Sequence, residues 1–336
     1  LLVWHLHGSW TTSFVQGGHQ YLIPTDDERG PWGTGRPAAW DWPANAIETP
    51  PAALADAEID AVILQRPEEV ELATRWTGRR PGVDVPAFYV EHNTPRGPAA
   101  STRHPLADRE DILIVHVTHF NQLMWDCGAA PTTVVPHGIV DPGERYTGEL
   151  DRAAVVINEP VRRWRITGTD LLPAFSRAAG LDVFGMGLAD LPARLAAEPG
   201  PPAEGAVRPI DDMPQHRLHA EMARRRVYLH PMRWTSLGLS LLEAMQLGMP
   251  VVAVACTEAA ATVPPEAGVV SASVPVLARA LRELVADPAR AVEMGRAARK
   301  AALDRHGLPE FLRLWDRVLS GSWATGRPDE LEVEAR

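Results

Sequence analysis

VYLHPMRWTSLGLSLLEAMQLGMPVVA, residues 227–253, is a strand, a loop, a helix and a second strand in one run. The apolar segment from Val227 stops at His230-Pro231, where proline withdraws a backbone donor. The loop Thr235-Ser236-Leu237-Gly238-Leu239 then opens a helix with Glu243 one turn in, and Gly248-Met249-Pro250 ends it before the next apolar run. Strand, helix and strand at this spacing predict a parallel α/β sheet. Gly238 lets a ligand approach the backbone closely. The unpaired amides at the helix start suit a phosphate, and Glu243 is placed to accept hydrogen bonds from a ribose diol.

The same rhythm runs outward in both directions. Downstream, Gly268–Ser271 reads as a strand, with helices at Leu239–Leu247, Val274–Ala286 and Ala289–Arg305. Upstream in the same half, strands are expected at Ala153–Ile157, Leu181–Gly185, Val227–Pro231 and Val251–Ala255, with helices at Asp170–Ala178 and Pro214–Arg224. The N-terminal half repeats the pattern. Its strands are expected at Leu1–His7, Ala61–Gln65, Ala87–Glu91, Ile112–Val117 and Thr132–Pro136, with helical patterns near Glu68–Trp76 and His119–Cys127. The stretch His137–Gly148 reads as a hinge and Glu198–Gly205 as a surface loop. A chain of 336 residues suits two domains of roughly 150 residues each. The expected boundaries are 1–145 and 150–305, both halves Rossmann-like, with ligands at the carboxyl ends of the strands and a cleft between the halves as the expected site.

The pattern from Thr235 to Ala244 resembles the donor-binding signature of the family-4 retaining glycosyltransferases with the GT-B fold, Glu-Gly-Phe-Gly-Leu, three residues, Glu-Ala. The resemblance implies two Rossmann-like domains facing each other across a cleft. It implies that Glu243 binds the nucleotide ribose and that the loop Ser236, Leu237, Gly238, Leu239 offers amides to a sugar diphosphate. Thr235 stands where the family has its first Glu, and the donor-sugar contact is expected to change with it. Gly168-Thr169-Asp170-Leu171-Leu172 is similar to the family's Lys-Gly-x-Asp-Leu-Leu, preceded by Arg162-Arg163-Trp164-Arg165. Thr167 occupies the Lys position, so an arginine, Arg163 first and Arg165 second, is expected to neutralise the leaving diphosphate. Val183-Phe184-Gly185-Met186-Gly187 resembles the Gly-x-Gly strand end beside the base. Tyr89-Val90-Glu91-His92-Asn93 resembles the strand whose His, here His92, faces the donor sugar. Gly17-Gly18 resembles the glycine pair at the first loop–helix junction, with amides toward the diphosphate. Pro136-His137-Gly138-Ile139-Val140-Asp141 resembles the hinge motif, with His137 in an Asn place. A last helix, 308–325, is expected to return to the first domain. The implied activity moves a hexose-like sugar from a nucleoside diphosphate to a hydroxyl of a sugar, lipid-linked or small-molecule acceptor. The C-terminal half holds the donor and the N-terminal half the acceptor. No nucleophile is recognised, which agrees with the front-face displacement associated with this family.

Composition narrows the alternatives. A formal charge of −10 opposes a general grip on nucleic acid. Two cysteines far apart, Cys127 and Cys256, suit a reducing compartment, and no apolar run approaches the roughly 20 residues of a membrane span. A cytoplasmic protein is expected, with a few residues ahead of Leu1. The twelve His include His216 and His219 on one helix face and His116 near His119, yet no ligand set of fixed spacing completes either pair. No metal or cofactor is therefore expected. Trp4, Trp10, Trp32, Trp40 and Trp42 crowd the start of the chain, where packing beneath a long loop is favoured over stacking on a sugar. Two rival functions stand. A nicotinamide oxidoreductase lacks its GxGxxG after the first strand, since Gly8 leads into Ser9-Trp10-Thr11. A non-catalytic sugar-nucleotide binder is separated by a donor hydrolysis or transfer assay.

Overall fold

The computed structural model describes residues 1–322 apart from 38, 39, 41 and 211. The chain divides into two compact units, Leu1–Gly138 joined by the helix that starts at Leu308, and Ile139–Gly307.

The first unit is built on a parallel sheet of β1 (Leu2–Val3), β2 (Tyr21–Pro24), β3 (Ala46–Thr49), β4 (Val62–Leu64), β5 (Ala87–Glu91), β6 (Leu113–His116) and β7 (Thr132–Val134). Its order is β3-β2-β1-β4-β5-β6-β7. The inner strands β4, β5 and β6 are buried at every position, as expected of parallel strands covered on both faces. Helices α1 (Gly8–Phe14), α2 (Glu68–Thr77) and α3 (His119–Met124) connect them. Glu68, Glu69 and Glu71 open α2 and Arg75 lies near its end, each charge matched to the helix dipole.

The second unit restarts the rhythm with β8 (Leu150–Val156), β9 (Gly180–Phe184), β10 (Val207–Ile210), β11 (Arg225–His230), β12 (Val251–Val254) and β13 (Gly268–Ser271), in the order β10-β9-β8-β11-β12-β13. Its helices are α4 (Pro160–Arg163), α5 (Leu172–Phe175), α6 (Leu191–Ala196), α7 (Gln215–Ala223), α8 (Leu239–Leu247), α9 (Ala259–Thr262), α10 (Val274–Ala286) and α11 (Pro288–His306). In each sheet the strand order reverses about the first strand. The switch points lie between β1 and β4 and between β8 and β11, where doubly wound sheets bind ligands beyond their carboxyl ends. The last helix, α12 (Leu308–Leu319), buries Phe311, Trp315 and Val318. Trp315 sets its edge against Phe14 at 4.9 Å and Trp10 at 5.8 Å, which ties α12 to α1.

Several expectations need correction. The segment 139–145 belongs to the second unit rather than the first. Asp141 is clamped by Arg299 at 2.8 Å, and the amides of Arg145 and Tyr146 donate to the Leu247 carbonyl. Residues 323–325 of the expected last helix lie outside the described residues. The glycine that opens the helix after β1 is Gly8, and Gly17 and Gly18 lie beyond that helix. Leu1 donates to the Gln20 carbonyl at 2.8 Å and Leu2 is in register with Leu22. Gly17-Gly18 therefore sits at the amino end of the parallel strands rather than at the first loop–helix junction beside the switch point. The strands β2, β3 and β10 were not expected. Of the early tryptophans, Trp4, Trp10 and Trp42 are buried in the first unit, and Trp32 carries the Arg66 guanidinium on its face at 3.9 Å.

Candidate functional site

In the second unit the loops after β8 and β11 meet at the switch point. Gly168, at φ 71°, leaves no room for a side chain, because a Cβ would lie 1.9 Å from the Pro231 carbonyl oxygen. The Ile166 carbonyl accepts the amides of Arg233 and Trp234 at 2.9 and 3.1 Å. Each loop thus braces the other. The 231–238 loop is also closed on itself. Thr235 donates its hydroxyl to the Met232 sulfur at 3.3 Å, and a Cβ on Gly238 would meet the His230 ring at 2.7 Å. His230 is buried at the end of β11, and burial pushes its pKa down to about 4, so the ring is neutral at pH 7. Tyr228, two residues earlier, shares a hydrogen bond with Ser240 at 2.8 Å, which links β11 to the first turn of α8.

From Leu241 to Leu247 every residue of α8 is buried, Glu243 among them. A carboxylate in such a helix requires partners. Gln215 donates Nε2 to Glu243 Oε1 at 2.8 Å, and His219 Nε2 lies 3.5 Å from Oε2, both from α7. The carboxylate is held in place by a neighbouring helix. Neither partner was identified from the sequence, where His219 was weighed only as a metal ligand. The signal available was Gln215 and His219 standing one turn apart.

The three arginines of the 162–165 run have different fates. Arg162 pairs with Glu159 at 3.2 Å. Arg165 is exposed and pairs with Asp170 at 3.1 Å, and Asp170 also takes both arms of the Arg233 guanidinium at 2.5 and 2.9 Å. Arg163 is half-buried, and among the described residues no carboxylate or carbonyl accepts from its guanidinium. Burial and the neighbouring Arg162 lower its pKa from the usual value. Thr167, where a Lys was expected by resemblance, is fully buried and bonded to Thr169 at 2.9 Å and to the Trp164 carbonyl at 3.2 Å. It offers nothing to a ligand. Gly185 follows β9, where Asn158 Oδ1 accepts the Met186 amide at 3.0 Å and Glu159 donates its amide to the Met186 carbonyl at 2.8 Å. Leu237 is buried and Ser236 accepts the Glu258 amide at its carbonyl, so Leu239 is the first of the loop residues to enter α8.

The first unit gathers imidazoles at its own switch point. Gln65, following β4, donates to the Trp4 carbonyl at 2.7 Å and accepts from His92 Nε2 at 3.0 Å, which assigns the His92 proton to Nε2. His7 lies 4.1 Å from His92 between ring centroids and His137 lies 6.2 Å away. Burial, then His7 and His137, drive the His92 pKa well below the usual range, and His7 falls to about 4. His7 and His92 are thus neutral at pH 7. Sequence reading singled out His92 but not His7 or Gln65, whose positions directly after β1 and β4 were the available signal. Among the described residues no group of three or more His, Cys, Asp or Glu is placed to hold a metal ion, and no helix is long and apolar enough to cross a membrane.

Residues 203–301 match the family model described as glycosyl transferases group 1. No curated protein matches the chain in sequence. Among solved structures, sucrose-phosphate synthase from Thermosynechococcus elongatus superposes with a TM-score of 0.67 at 14% identity, over 97% of this chain and 99% of that one. Anabaena HepE in complex with UDP and glucose gives 0.64 at 15% identity, over 95% and 98%. TarM gives 0.63 at 14% identity over 77% of this chain, which spans about half of TarM, 54%. The two doubly wound units of this chain have the fold of the GT-B glycosyltransferases, and the group 1 match falls in the second of them.

Proposed function

We propose that the chain is a retaining glycosyltransferase that takes a sugar from a nucleoside diphosphate and delivers it to a hydroxyl acceptor. The observation that carries this reading is the pair at the second unit's switch point. A carboxylate hydrogen-bonded by Gln215, with His219 beside it, sits on α8, and a guanidinium that no carboxylate claims, Arg163, ends α4 in the connection after β8. A ribose diol donates to the first, and a diphosphate accepts from the second. The opening amides of α8 add partial positive charge for the same diphosphate. As the glycosidic bond to the diphosphate breaks, negative charge grows on the leaving oxygen, and fixed donors lower the barrier there. The first unit takes the acceptor, and its own switch point carries His92, a neutral imidazole able to hydrogen-bond a hydroxyl. Arg165, tied to Asp170, keeps Arg233 and the loop in place rather than meeting the diphosphate. The binding of UDP and glucose by HepE makes nucleoside diphosphates the first probes to use.

Glu243→Ala is expected to weaken nucleoside diphosphate binding by roughly tenfold to a hundredfold, the effect of losing charged hydrogen bonds worth about 1.5–3 kcal/mol. Calorimetry checks it, and unchanged affinity would remove the ribose assignment. Turnover is expected to survive EDTA, because arginine and helix-end amides supply the field that a cation gives elsewhere. Loss of activity in EDTA with recovery on adding Mg²⁺ or Mn²⁺ would overturn that expectation. The anomeric configuration of the product, read by NMR, decides between retention and inversion.

A further inference from the structure

The carboxyl ends of β9 and β10 enclose a cavity of about 180 Å³ lined by Gly185, Gly187, Leu188, Ala189, Pro209 and Asp212. A Cβ on Gly185 would strike the Ile157 carbonyl oxygen at 2.3 Å, so the chain leaving β9 packs directly against the chain leaving β8 and puts no side chain into the cavity from this position. Leu188, Ala189 and Pro209 are apolar. Asp212 is the charged residue of this lining among the described residues. It stands three residues ahead of Gln215, whose amide holds Glu243 at 2.8 Å. The stretch that supplies the cavity's carboxylate therefore leads directly into the helix that holds the proposed ribose ligand. Base and ribose of one nucleoside need that adjacency.

The chemistry of the lining selects among bases. Asp212 Oδ1 already accepts the Met213 amide at 3.0 Å, and the carboxylate keeps Oδ2 and further lone pairs for a ligand. Guanine presents two neighbouring donors, N1–H and the 2-amino group, which match the two oxygens of a carboxylate. Uracil sets its single N3–H between two carbonyl oxygens. Adenine and cytosine place a ring acceptor beside their amino group. Each of these three turns a lone pair toward the carboxylate, and that repulsion disfavours them. We infer that the donor is a guanosine diphosphate sugar, with guanine in this cavity and its N1–H and 2-amino group donated to Asp212. This inference rests on the donor-nucleotide reading above.

Calorimetry on the full chain with GDP, UDP, ADP and CDP is the first arm, and Asp212→Asn with GDP and xanthosine diphosphate is the second. The wild-type protein is expected to bind GDP about 10- to 100-fold more tightly than the other three, the worth of a charge-assisted pair. Xanthine carries a carbonyl where guanine has its 2-amino group. Asp212→Asn, offering one acceptor and one donor, should therefore prefer xanthosine diphosphate to GDP. Asp212 is exposed, so the variant is expected to fold, and circular dichroism verifies this. A wild-type protein that binds none of the four removes the donor-nucleotide reading together with this inference. Binding of UDP, ADP or CDP as tightly as GDP retains that reading and overturns the guanine assignment alone. An Asp212→Asn variant that still prefers GDP over xanthosine diphosphate overturns the role of Asp212.

Discussion

Arg163 and Arg165 are two positions apart, carry the same charge, and differ in what already claims them. Arg165 shares Asp170 with Arg233, whereas the Arg163 guanidinium has no such partner among the described residues. A charge already paired has less to give a ligand, since binding must first break or share the existing bonds. Arg163→Ala is therefore expected to lower kcat/KM for donor by a hundredfold or so, the order seen on removing one donor to a developing anion. Arg165→Ala should cost about tenfold or less. Steady-state kinetics on both variants decides this, and equal losses would remove the distinction. The arginine run was legible in the sequence, but its division was not, because Asp170 chooses among cations that lie up to 63 positions away. The same limit hid the partners of Glu243. Its place on the helix behind Gly238 could be read, while Gln215 is 28 positions off on another helix. Thr235 aligns with a Glu expected to contact the sugar, and its hydroxyl donates to the Met232 sulfur, a local contact that the alignment did not reveal.

At the scale of elements, α12 makes the clearest case of a helix whose packing partner is remote in sequence. Its apolar face, Phe311, Trp315 and Val318, completes the core of the first unit beside Trp10 and Phe14. Trp315→Ala should cost that unit about 3–5 kcal/mol, the usual effect of removing a buried aromatic ring. It should leave nucleoside diphosphate affinity unchanged, since the proposed ribose and diphosphate ligands lie in the second unit. A calorimetric melt and a binding titration on the same variant check both halves, and a shared fall in affinity would show that the two units are coupled. The elements legible in the sequence were those with strong signals. The strands Ala87–Glu91 and Gly268–Ser271 and the helices Leu239–Leu247 and Val274–Ala286 were read with the ends they have. The missed strands had weak ones. β10 reads Val-Arg-Pro-Ile and β3 Ala-Ile-Glu-Thr, short edge strands with proline or charge, whose pairing comes from the neighbouring strand rather than from their own pattern. β2, Tyr-Leu-Ile-Pro, is four residues behind a glycine pair that drew the reading to a phosphate loop.

For the whole molecule, the buried imidazoles make the two units unequal toward acid. In the first unit, burial holds the His7 pKa at about 4 and the His116 pKa at about 3, and His92 lies well below its ordinary value, with His5 lowered as well. In the second unit burial likewise holds His230 at about 4. An unfolded His takes up its proton near pH 6.5, and these folded ones refuse it until well below that. Between about pH 6.5 and 4 the unfolded chain therefore binds more protons, so stability is complete above 6.5 and falls as pH drops through the window. Each group contributes up to about 1.4 kcal/mol per pH unit. Carboxylates held down by arginine, such as Asp141 beside Arg299 and Glu221 beside Arg225, lose their contribution only at lower pH and do not set this window. With more such imidazoles, the first unit should lose stability faster than the second. The tryptophans allow a direct check, since buried Trp4, Trp10, Trp42 and Trp315 all lie in the first unit. On acid titration, tryptophan fluorescence should change at a higher pH than far-UV circular dichroism, which weighs both units. Replacing His116 with Leu, which cannot bind a proton, should move the fluorescence midpoint toward acid and leave the second phase of the dichroism unchanged. Superimposed curves in the wild-type protein would mean that the units unfold together, and the inequality argued from their imidazoles would then have no bearing on how the molecule fails.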